Sequence, residues 1–135
     1  MNRDPHCGVL PPAHRATILV VEDDPQLRFL YRMSLMIAGY NVAAVEDGVD
    51  ALRHIEANAP HAVVLDIELP RLGGFDVQHE IASHTETRDI PIVVVTGTLK
   101  EINPKDFACV LRKPISPEAL VEAVERCLRA RGKGC

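Results

Sequence analysis

Five side chains in this 135-residue chain have the types and the placement to do chemistry together. Asp66 ends the apolar run Ala62-Val63-Val64-Leu65 and is followed by Ile67-Glu68-Leu69-Pro70 and the pair Gly73-Gly74. Four apolar residues stopped by a turn signal read as a buried strand, so this carboxylate falls at the rim of a sheet. Ile18-Leu19-Val20-Val21 ends in the same way at Glu22-Asp23-Asp24, and Ile92-Val93-Val94-Val95 ends at Thr96. A further run, Cys109-Val110-Leu111-Arg112, delivers Lys113-Pro114. Taken singly, each residue has an ordinary explanation: a solvated helix start, a turn, a strand end, a surface lysine. Taken together, carboxylates, one hydroxyl and one ammonium at the ends of separate strands suit a divalent cation and a phosphoryl group.

Glu22, Asp23 and Asp66 would repel one another at a single point. Such a cluster either raises a pKa or binds a cation. Oxygen-only ligands suit Mg²⁺, which takes one or two carboxylates, keeps waters and bridges to phosphate. The cation and Lys113 together balance the three carboxylates. Asp66 can then act as a nucleophile, since carboxylates form aspartyl-phosphates. Phosphoryl transfer needs chiefly positioning and charge neutralisation, and Thr96 can donate a hydrogen bond to a phosphoryl oxygen.

Positioning these groups requires an alternation of strands and helices. Strands are predicted at about 17–22, 41–45, 62–66, 91–95 and 108–111. A first helix opens at Asp24-Pro25, an N-cap followed by proline at the first helical position, and ends at Gly39. Its inward face is predicted to carry Leu27, Leu30, Tyr31, Ser34 and Ala38. A second helix is predicted at about 48–58 with Ala51, Leu52 and Ile55 inward, and a third at about 74–84 with Phe75, Val77 and Ile81 inward. The last helix starts after Ser116-Pro117 and buries Leu120, Val124, Cys127 and Leu128. Continuous apolar strands alternating with helices indicate an α/β fold, a five-stranded parallel sheet, doubly wound. Ligands in such sheets bind beyond the carboxyl ends of the strands, where Glu22, Asp23, Asp66, Thr96 and Lys113 all fall. Only residues 97–108 link the fourth strand to the fifth, and they include Asn103-Pro104, so a shortened fourth helix is expected.

The length fits one domain with a proper core. A formal net charge of −4 argues against a direct nucleic-acid binder, which usually shows a basic patch. The sequence offers neither a membrane span nor the apolar core of a signal peptide. Cys7, Cys109, Cys127 and Cys135 show no C-x-x-C spacing and read as unpaired thiols. The expected location is the cytoplasm. Residues 1–16, with four prolines or glycines and no periodicity, read as a flexible arm before a domain over 17–131 and a short tail over 132–135.

Taken in order, ILVVEDDP, VVLDIELPRLGGFDV, PIVVVTGT and VLRKP resemble the receiver domain of bacterial two-component response regulators, over roughly residues 16–131. The resemblance implies a flavodoxin-like strand order 2-1-3-4-5 and a chemotaxis-receiver-like protein that is not an enzyme acting on other substrates; with little sequence after residue 131, a stand-alone receiver is expected. It implies phosphorylation of Asp66 by a phosphohistidine on a sensor histidine kinase or a histidine phosphotransfer protein, and control of an unknown downstream protein. Mg²⁺ would be held by Asp23, Asp66 and the backbone of Glu68, with Glu22 holding a metal-bound water. Thr96 and Lys113 would hold the phosphoryl group, and the Lys113–Pro114 bond would be cis. Three departures stand out: Val110 where Tyr or Phe is usual, a short connection over 97–108, and Gly73 where Asp is common. Switching is therefore expected to run through residues 97–108 and not through a rotating ring.

Two other classes deserve comparison. Asp66-Ile67-Glu68 looks superficially like the nucleophile motif of haloacid-dehalogenase phosphatases, but those place it on the first strand. A flavodoxin-like cofactor binder needs a Ser/Thr/Gly-rich phosphate loop where this chain has Glu22-Asp23-Asp24. Finally, Phe29, Met33 and Met36 lie opposite the predicted buried stripe of the first helix, and such an outer apolar stripe suits partner docking.

Overall fold

The computed structural model describes residues 16–132. Five strands alternate with helices: β1 (Thr17–Val21), α1 (Pro25–Ile37), β2 (Asn41–Val45), α2 (Gly48–Ala57), β3 (Ala62–Leu65), α3 (Gly74–Ala82), β4 (Ile92–Thr96), β5 (Cys109–Arg112) and α4 (Pro117–Gly132). The strands form one parallel sheet in the order β2-β1-β3-β4-β5, as expected. Side chains alternate across it. Ile18 and Val20 pack with Tyr31, Leu35, Leu120 and Val124 under α1 and α4. Leu19 and Val21 pack with Ala51, Ile55, Val77 and Ile81 under α2 and α3. The three inner strands are buried on both faces, which is why they read as unbroken apolar runs.

Local chemistry sets the helix starts. Asp24 Oδ1 accepts hydrogen bonds from the Gln26 and Leu27 amides (2.9 and 3.3 Å), and Pro25 follows at the first helical position. Asp47 Oδ1 does the same for the Asp50 amide at the start of α2 (2.8 Å). Gly39 closes α1 at φ 108°, a left-handed value that glycine adopts without a Cβ clash.

Three expectations need correction. Leu30, predicted inward, is 39% exposed, and Leu35 is buried in its place. Tyr31 and Leu35 stand one turn apart and centre the buried stripe, and Leu30 is rotated away from it by roughly 100°. In α4, Ala123 is buried where Cys127 was expected to be, and Cys127 is half-buried at the margin. Ala16, counted with the arm, is buried, and its carbonyl accepts from the Asn41 amide at 2.9 Å. Residues 1–15 and 133–135, with the expected arm and tail, lie outside the described residues.

The segment after β4 contains only a 3₁₀ turn, Pro104–Asp106. The short connection leaves no length for a covering helix. Ile102 and Phe107, both more than nine-tenths buried, fill that place against Ile92, Val94 and Val110. A buried side chain of this kind contributes about 1.5–3 kcal/mol, so two of them can hold an irregular segment on the sheet.

Candidate functional site at the carboxyl edge

The strand ends bring the predicted residues together. Glu22 and Asp66 are almost fully buried and Thr96 is completely so, whereas Asp23 is exposed at the rim. Lys113 Nζ lies 2.8 Å from Glu22 Oε1 and 2.9 Å from Asp66 Oδ2, so one ammonium bridges the ends of β1 and β3. The parallel pairing of β4 with β5 fixes its approach, and the Lys113 amide continues that ladder to the Thr96 carbonyl (2.9 Å). The Lys113–Pro114 bond is cis, as the resemblance implied.

Backbone groups orient the acids. Asp66 Oδ1 accepts from the Glu68 amide (3.2 Å), and Glu22 Oε2 accepts from the Asp24 amide (3.1 Å). Arg28 Nη1 donates to the carbonyls of Glu22 and Asp23 (3.0 and 3.3 Å), which fixes the loop after β1. Burial pushes the Glu22 carboxyl up, and the Asp66 charge adds to this, although Lys113 and the Asp24 amide pull the other way. Burial alone would lower the Lys113 pKa, but its bonds to Glu22 and Asp66 outweigh burial and hold it above the ordinary lysine value. Lys113 therefore stays an ammonium at neutral pH.

Carboxylate oxygens of Glu22, Asp23 and Asp66 all lie within 4.8 Å of one another. Three carboxylates thus face one ammonium, and a single divalent cation cancels the excess. An all-oxygen donor set with one solvent-facing member fits a hard dication that keeps some of its waters. The cluster can hold a metal ion. Glu68 adds its amide to Asp66 but is not among the three clustered carboxylates. Its carboxylate turns to Thr98 Oγ1 (2.6 Å) and Lys100 Nζ (3.8 Å).

Several contacts of this edge go beyond what the sequence showed. Gly74 lets α3 start against the loop after β3, termed the acceptor loop for the expected role of Asp66: a Cβ there would overlap the Asp66 carbonyl oxygen and lie 2.6 Å from Ile67 Cα. Arg71 adopts φ 66° and donates to Asp47 Oδ2 (3.1 Å), tying the acceptor loop to α2. Thr98, buried two residues after Thr96, joins four neighbours. A threonine behind a glycine reads as loop, and nothing in the sequence sets it apart. On α1, Phe29 is 63% exposed and Met36 42%, but Met33 is half-buried; Leu30 and Ile37 widen the exposed band.

A doubly wound sheet that gathers acids, a hydroxyl and a lysine at its carboxyl edge defines a class of phosphoryl-accepting α/β domains. The family model for the response regulator receiver domain matches residues 18–125, and the chain belongs to that family. A stretch of 80 residues, 59% of this chain, is 47% identical to the response regulator MprA of Mycobacterium sp. (strain KMS). Over a stretch of the same length it is 44% identical to MprA of Mycobacterium ulcerans (strain Agy99). The matched stretch is 34% of each relative, so the chain spans about a third of the length of the curated relatives it matches. Among solved structures, a sensor protein from Polaromonas sp. JS666 superposes with a TM-score of 0.80 at 27% identity, covering 87% of this chain and 98% of that one. The chemotaxis response regulator CheY4 of Vibrio cholerae superposes with a TM-score of 0.74 at 25% identity, covering 83% and 98%.

The chain is thus a receiver domain of two-component signalling, and neither the phosphatase nor the flavodoxin-like alternative is supported. No described helix is long and apolar enough to cross a membrane.

Proposed function

We propose that residues 17–131 form a receiver unit in which Asp66 accepts a phosphoryl group from a phosphohistidine. The single observation behind this reading is the Lys113 ammonium held between Glu22 and Asp66, with the exposed Asp23 carboxylate beside them. An Asp66 oxygen attacks phosphorus, the P–N bond breaks, and the imidazole leaves with the electron pair and takes a proton. Lys113 and Thr96 each donate a hydrogen bond to a phosphoryl oxygen. Asp23, Asp66 and the Glu68 main chain would hold Mg²⁺, with Glu22 on one of its waters; when bound, the cation neutralises phosphoryl charge. The unit catalyses only its own phosphorylation and dephosphorylation and passes the change to a downstream protein. It works in the cytoplasm, without direct contact to nucleic acid or membrane.

The phosphodonor is a sensor histidine kinase or a histidine phosphotransfer protein, docked on the α1 band of Phe29, Met33 and Met36 beside the Asp23 end of the cleft. Exposed apolar patches mark such sites, and Met adapts to varied partners.

Acetyl phosphate with Mg²⁺ should add one phosphoryl mass to the intact protein, and Asp66→Asn should abolish the addition. Full labelling of Asp66→Asn would refute the assignment. Phe29→Ala combined with Met36→Ala should slow transfer from the phosphohistidine protein and spare transfer from acetyl phosphate, which needs no docking surface. Equal loss with both donors would remove the docking role.

A further inference from the structure

Phosphorylation must reach a surface to be read, and this chain has no aromatic ring at position 110 to carry it. Val110 pairs in register with Val94 and offers neither a ring nor a polar atom. The polar connections run elsewhere and converge on Thr98, which is 7% exposed. Its amide donates to Thr96 Oγ1 (3.2 Å), and its hydroxyl donates to Glu68 Oε2 (2.6 Å). Its hydroxyl also accepts from the Lys100 amide (3.2 Å), and its carbonyl accepts from Arg112 Nη1 (2.6 Å). Thr98 thus touches the Thr96 hydroxyl, the Glu68 carboxylate, its own segment and the last residue of β5.

Two of these links meet the site. A hydroxyl has one proton and two acceptor lone pairs. Thr96 uses a lone pair for the Thr98 amide, which leaves its proton for a phosphoryl oxygen. Glu68 is tied to Asp66 through its amide and to Thr98 through its carboxylate. A phosphoryl group on Asp66 brings additional negative charge toward that carboxylate and draws on Thr96. Both changes load the same residue: like-charge repulsion weakens the Glu68–Thr98 bond as the Thr96 hydroxyl is drawn the other way. The Thr98 carbonyl, by accepting from the Arg112 side chain, links this point to the end of β5, and next to it Leu99 stands fully exposed.

We propose that Thr98 carries the phosphorylation state of Asp66 to the β5 edge through Arg112, in place of ring rotation. The proposal rests on the reading of Asp66 as phosphoacceptor. Thr98 acts here as a positioning residue, because it works through Glu68, Thr96 and Arg112.

The test compares amide hydrogen exchange of the full chain with and without acetyl phosphate and Mg²⁺, with intact mass recording phosphorylation. In the wild type, exchange over residues 97–103 and 109–113 should change on phosphorylation. Arg112→Gln should take up the phosphoryl group normally and reduce the change over 109–113 by about fivefold, the factor expected for one net hydrogen bond. Thr98→Val, which keeps shape, amide and carbonyl but loses the hydroxyl's bonds to Glu68 and to the Lys100 amide, should reduce the change in both segments. Thr98→Ser should restore it. A wild-type response in either Arg112→Gln or Thr98→Val would overturn the proposal. So would loss of phosphorylation in Thr98→Val, which would place Thr98 in the transfer chemistry itself. Failure of the wild type to accept a phosphoryl group, or full labelling of Asp66→Asn, would instead defeat the underlying reading of Asp66.

Discussion

The two walls of the cleft follow opposite plans. The wall running from β3 to α3 is fixed by backbone packed on backbone, with Gly74 against the Asp66–Ile67 main chain and Gly48 against that of Leu72. The wall running from β4 to β5 has no covering helix. It is held by two buried apolar side chains, Ile102 and Phe107, and by the hydrogen bonds around Thr98. Main-chain contact leaves no room for adjustment, whereas side-chain bonds can exchange partners at a net cost of about 1 kcal/mol each. Asp66, the proposed phosphoacceptor, therefore sits on the rigid wall, and Thr98 and Arg112, the residues proposed to pass its state onward, sit on the adjustable one.

The sharpest way to break this comparison is to crowd the rigid wall. Gly74→Ala puts a methyl group into main-chain atoms that cannot swing aside, and about 3 kcal/mol of stability should be lost, at the upper end for overpacking. Urea unfolding measures it, and a loss below about 1 kcal/mol would show that this wall yields. Asp23 belongs to neither wall. On the proposed reading, Asp23→Asn removes a direct ligand and should weaken Mg²⁺ binding about tenfold or more, since even outer-shell changes cost that much. A metal titration that gave unchanged affinity would move the cation away from Asp23. The smallest effect should come from the adjustable wall: Leu99 is fully exposed, so Leu99→Ala should change stability by no more than about 0.5 kcal/mol in the same urea assay. A larger loss would mean that Leu99 is covered by something in solution.

The sequence showed the site and hid its connections for physical reasons. Asp66, Thr96 and Lys113 were legible because each ends an apolar strand, and a parallel sheet places all such ends on one edge. The missing covering helix was legible from length alone. The face of α1 was less so. Phe29, Leu30, Met33, Met36 and Ile37 make its outer side nearly as apolar as its inner side, so periodicity could not fix the phase and Leu30 was misplaced for Leu35. The pairing of Lys113 with Glu22 was also hidden, because spacing along the chain does not say which carboxylate an ammonium meets first. Ile102, Phe107 and Thr98 lie in an irregular stretch, where no periodic pattern marks an inward side chain.

The bridge that Lys113 makes between Glu22 and Asp66 has a consequence for the order in which the protein is made. Synthesis runs from the amino end, so the two acids emerge well before the lysine that neutralises them. Every nascent chain that stops short of Lys113 carries a pair of carboxylates destined for burial with no ammonium between them. Desolvating them in that state is unfavourable unless a carboxyl takes up a proton or a cation binds, so early closure of the sheet edge is disfavoured. The residue that supplies the bridging ammonium is also the one that follows the last strand. The ammonium that this edge needs thus becomes available only after all five strands have been made.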